Sequence, residues 1–98
     1  LVRCSLMFRK EKLGDKQGML FLMKPNTHSF WMKNTYISLD LLFLDETGRV
    51  VGFIENTKPF DTNNYSINKE SKYVIELNSG FIHRNNIKIN NIIDLSNI

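Results

Sequence analysis

The segment Ile37–Glu55 constrains the fold more than any other part of the chain. Ile37, Leu39, Leu41 and Phe43 alternate with Ser38, Asp40, Leu42 and Leu44, the period-two pattern of an extended strand whose successive side chains point to opposite faces. Asp45-Glu46-Thr47-Gly48 follows, with aspartate first and glycine fourth. That order suits a type I turn inside a hairpin loop with a bulge. Arg49–Glu55 then returns as the partner strand.

The remaining segments extend this β pattern. Met19–Met23 is a continuous apolar run bounded by Gly18 and Pro25, and it reads as a central strand buried on both faces. Pro25–His28 reads as a loop. Tyr73, Ile75 and Leu77 alternate with Val74, Glu76 and Asn78 in a further strand, which Ser79-Gly80 breaks. Phe81–Arg84 suits a single helical turn. Ile87–Leu95 carries short apolar pairs split by Asn90-Asn91 and reads as two small strands or a hairpin. Near the start, Ser5–Leu13 suits one short helix, with Ser5 as N-cap and Gly14 just past its end. Asn56–Glu70 is long and polar and contains Pro59; a loop of this length reads as a functional lid or a disordered segment. The expected architecture is mainly β, a small antiparallel β-barrel or sandwich with one short N-terminal helix.

Composition bounds the function. The 98 residues are expected to form a single domain, 1–98, lacking an N-terminal strand or signal segment ahead of Leu1. The formal charge of +3 is spread over lysines that often sit beside acids, as in Lys10-Glu11-Lys12 and Lys69-Glu70-Ser71-Lys72. Such mixed runs are solvated faces, so no nucleic-acid partner is expected. No apolar run reaches the roughly 20 residues of a membrane-spanning helix. Cys4 stands alone, which excludes an internal disulfide. Alanine is absent while asparagine and isoleucine are abundant, which leans the chain toward strands and turns.

Candidates for chemistry are few. His28 and His83 are far apart and lie in no metal-ligand spacing, so neither a metal nor a cofactor is expected. Asp40 and Glu76 each sit inside an apolar strand, where a carboxylate needs hydrogen bonds, a cation or water. They could face solvent or accept backbone N–H groups. They could instead form a cleft pair doing acid–base work, as in a hydrolase acting on glycan. Trp31 is either core or a stacking platform for a ring. Lys33 could grip an anion, pair with Asp40 or extend to solvent. Asn34 and Thr35 suit a bulge that re-aims the chain before Ile37.

In order along the chain come Arg3-Cys4-Ser5-Leu6-Met7-Phe8-Arg9, Gly18-Met19-Leu20-Phe21, Phe30-Trp31-Met32-Lys33-Asn34-Thr35, Leu39-Asp40, Glu76-Leu77 and Ser79-Gly80. This succession resembles the bacterial and archaeal family called domain of unknown function 192, over nearly the whole chain. The resemblance implies a compact, mostly antiparallel β domain in an extracytoplasmic setting, periplasmic or secreted, and implies no reaction. The chain departs from the family pattern at Ser5, where glycine is usual, and at Asn86, Asn90 and Asn91, where the family tends to carry glycine and an acid. Asparagine tolerates positive φ, so the turns survive, but a carboxylate role at Asn91 does not. Three functions are compatible with these residues. The first is a non-catalytic small-molecule or glycan binding module using Trp31, Lys33, Asn34, Thr35, Asp40 and Glu76. The second is the hydrolase. The third is a structural or partner-binding domain.

Overall fold

The computed structural model describes residues 18–26 as a backbone strand, and residues 36–61 and 64–93 with their side chains. Four strands form one sheet: β1 (Gly18–Asn26), β2 (Leu39–Leu44), β3 (Val50–Ile54) and β4 (Ser71–Asn78), followed by the single-turn helix α1 (Phe81–Arg84). The order across the sheet is β1-β4-β2-β3, and every pairing is antiparallel. The sheet is open among the described residues, with β1 and β3 at its edges, so the described strands do not close into the barrel expected above or stack as a sandwich. The expected helix at Ser5–Leu13 lies outside the described residues.

The hairpin has the geometry its sequence predicts. Gly48 N–H donates to Asp45 O at 3.1 Å and Asp45 N–H to Arg49 O at 2.9 Å, with Gly48 at φ +85°. Asp45 Oδ1 accepts from Thr47 N–H (2.8 Å), the Thr47 hydroxyl (2.6 Å) and Arg49 N–H (3.0 Å). The Thr47 hydroxyl is the main influence holding the Asp45 carboxyl below its ordinary pKa; partial burial opposes it, while the backbone N–H groups and the Arg49 charge assist. The register slips between Phe43 and Leu44, whose partners are Gly52 and Val50, and this places the bulge on β3.

Strand β1 differs from expectation in two respects. It pairs only with β4 among the described strands, and it runs through Pro25 to Asn26. Its register to β4 is irregular between Leu22 and Asn26, the interval that contains Pro25. Proline donates no ladder hydrogen bond and is accommodated at such irregularities and edges.

Strand register sorts the core into two faces. Leu39, Leu41, Phe43 and Val74 cluster with Ile37 on one face, joined by Val51, Ile54, Tyr65 and Ile67. Leu42, Leu44, Val50, Ile75, Leu77 and Ile82 form the other, joined by Phe53, Tyr73, Phe81, Ile87 and Ile93. The central strand β2 is buried throughout, which explains why Leu41–Leu44 is uninterruptedly apolar.

Asparagines do the work of glycines in the C-terminal part. Asn86 has φ +52° and follows α1 in a Schellman arrangement, with Asn86 N–H donating to His83 O and Ile87 N–H to Ile82 O, both at 3.1 Å. Asn90, at φ +74°, sits in the turn closed by Asn91 N–H to Lys88 O. As far as residue 93, the last of the described residues, the segment beyond this turn forms no hairpin of its own. It adds to the outer edge of β3, where Val50 exchanges backbone hydrogen bonds with Asn90 and Asn91 and Arg49 bridges Ile92.

Candidate functional site

Asp40 is the best-defined polar group of the sheet. It is 0% exposed, and each oxygen has a backbone partner: Asn56 N–H donates to Oδ1 at 3.0 Å and Ile82 N–H to Oδ2 at 2.9 Å. Ile82 lies in the first turn of α1, whose own sequence supplies no acidic residue there and no side-chain cap. Asp40 therefore caps the helix from another element, placing negative charge where the unpaired N–H groups point. Around it, the Ser79 hydroxyl donates to Asn56 Oδ1, and Gly80 turns the chain into α1 at φ +93°. The Leu39-Asp40 and Ser79-Gly80 pairs thus meet in one node that ties the end of β3 to the end of β4.

Glu76 lies elsewhere. It is directly opposite Leu41, whereas Asp40 is opposite Leu77, so the two carboxylates occupy opposite faces of the sheet. Glu76 is 4% exposed. A glycosidase pair must flank one bond. Asp40 and Glu76 do not, and the hydrolase expectation built on them is corrected on that ground. Trp31, Lys33, Asn34 and Thr35 lie outside the described residues.

The long loop after β3 proves to be a strap. At its start Thr57 N–H donates to Leu39 O (2.8 Å) and Leu39 N–H to Thr57 Oγ1 (3.0 Å), so Thr57 pairs with the first residue of β2. Further on, Tyr65 and Ile67 pack on the first core face. Ile67 covers Gly52 so closely that a Cβ there would lie 2.7 Å from Ile67 Cδ1. The Tyr65 hydroxyl donates to Asp61 Oδ2 (2.6 Å) and accepts from Lys58 N–H (3.1 Å). Burial, and then the acceptor carboxylate of Asp61, push the Tyr65 phenol above its ordinary pKa. The folded state therefore holds this proton more tightly than the unfolded chain. Its contribution is complete below pH 10 and declines as pH rises past that value. Tyr65→Phe is expected to cost about 1 kcal/mol at neutral pH. The variant should also lose part of the alkaline decline, as read from urea melts at neutral and alkaline pH.

At the tip of the strap, Phe60 meets Tyr36 edge to face, with ring centroids 4.9 Å apart and planes at 83°. Tyr36 directly follows Thr35, so the strap tip sits beside the residue that continues the Phe30–Thr35 block. Neither Phe60 nor Tyr65 stands out in the sequence. The one local sign is Pro59 ahead of Phe60 and Asp61, a pattern fit for a turn. At the opposite end of the sheet, Asp45, Glu46, Glu70, Ser71 and Lys72 line a cavity of about 150 Å³. Among the described residues no group of three histidine, cysteine, aspartate or glutamate side chains could hold a metal ion, and no helix is long and apolar enough to cross a membrane.

Fold and node define a small antiparallel β domain whose strand ends are tied by a buried carboxylate. The family model of DUF192, described as an uncharacterized ACR, matches residues 3–95, and the chain belongs to that family. Two solved structures are similar. A protein of unknown function from Novosphingobium aromaticivorans shares 40% identity at a TM-score of 0.81, over 87% of this chain and 61% of its own. A proposed transcription regulator from Sinorhizobium meliloti shares 32% identity at a TM-score of 0.83, over 87% of this chain and 66% of its own. The chain thus spans less than two thirds of either structure. No curated protein matches it.

Proposed function

We propose that this domain is a non-catalytic binding module, working outside the cytoplasm, that holds a small molecule or glycan where the strap tip meets Tyr36. The surface would take in Trp31, Lys33, Asn34 and Thr35. One observation carries this reading: the Phe60–Tyr36 contact brings an exposed aromatic to the residue adjoining that block. The extracytoplasmic setting rests on the family resemblance. Asp40 and Glu76 drop out of the surface because both are buried.

Chemical-shift mapping with a small-molecule and oligosaccharide library tests the proposal. Shifts are expected at the Trp31 indole and at Tyr36. A response confined to α1 or the β3 edge, with Trp31 silent, would sink it. Substituting Lys33 separates this reading from a purely structural one, which predicts lost stability and no lost ligand. The Sinorhizobium neighbour's name supplies a rival. Duplex DNA binding that weakens steeply with salt would favour that rival over the proposed module.

A further inference from the structure

We draw no further inference here: the strongest candidate, the cavity at the end of the sheet lined by Asp45, Glu46, Glu70, Ser71 and Lys72, is an acidic cluster with no second feature that points to a ligand, because the buried Ser71 hydroxyl leaves β4 on the face shared by Tyr73 and Ile75 while Lys72 alternates to the other.

Discussion

Asp40→Ala is expected to lower the free energy of unfolding by about 3–5 kcal/mol, a large share of what a domain of this size has. The substitution removes two charge-assisted hydrogen bonds and leaves Asn56 N–H and Ile82 N–H without their acceptor. Asp40→Asn is the sharper variant. It keeps the shape, but its amide nitrogen cannot accept, so one of the two N–H groups faces a donor. About half the loss should follow. Urea melts give the energies, and hydrogen exchange at the Asn56 and Ile82 amides locates them. An asparagine variant as stable as the parent would mean the carboxylate is not the tie between β3 and α1.

Gly52→Ala should cost about 1–3 kcal/mol, which is unusual for so small an addition. Gly52 has no need of positive φ; it is constrained by space. An added methyl would lie 2.7 Å from Ile67 Cδ1, 3.0 Å from Cγ2 and 3.1 Å from Cβ. Because the near contacts include Cβ and not only the flexible tip, rotating the side chain does not clear them, and the strap must lift. Ile67→Ala removes the obstacle at the cost of its own packing. The double variant should therefore cost less than the sum of the two single changes. Simple additivity would show that strap and strand are not in contact as described.

These two residues mark where the sequence stops being legible. The β2–β3 hairpin can be read directly, because its alternation and its Asp45–Gly48 turn are local. So can α1, announced by Ser79-Gly80, and the positive φ of Asn86 and Asn90, which follows from the family's glycines at those turns. Asp40 announces a need for partners but not who they are, since they lie 16 and 42 positions away. The pairing with Glu76 fails for a related reason: two acids in separate strands share a face only if the register allows it, and register is a property of the assembled sheet. Gly52 gives no local sign, because its constraint arrives from Ile67 in another element. The strap was legible as a long polar loop. That it is pinned by Thr57, Tyr65 and Ile67 depends on contacts that appear only once the first core face exists.

The order β1-β4-β2-β3 also has a consequence for how the chain is made. Among the described strands β1 and β2 are successive in sequence yet do not pair; β4, the last of the four to be synthesised, enters between them and completes both neighbours. Among the described strands, only the β2–β3 hairpin can form until it leaves the ribosome, and the edge of the apolar strand β2 that β4 will take is open to that point. At about 5–20 residues per second, the wait from Ile54 to the end of β4 is on the order of a second or more. During that interval the nascent chain offers a template to any passing strand. The hazard falls on translation and not on the finished domain. A holdase that shields β2 should therefore raise the yield of newly made protein without changing the melting temperature of what is recovered.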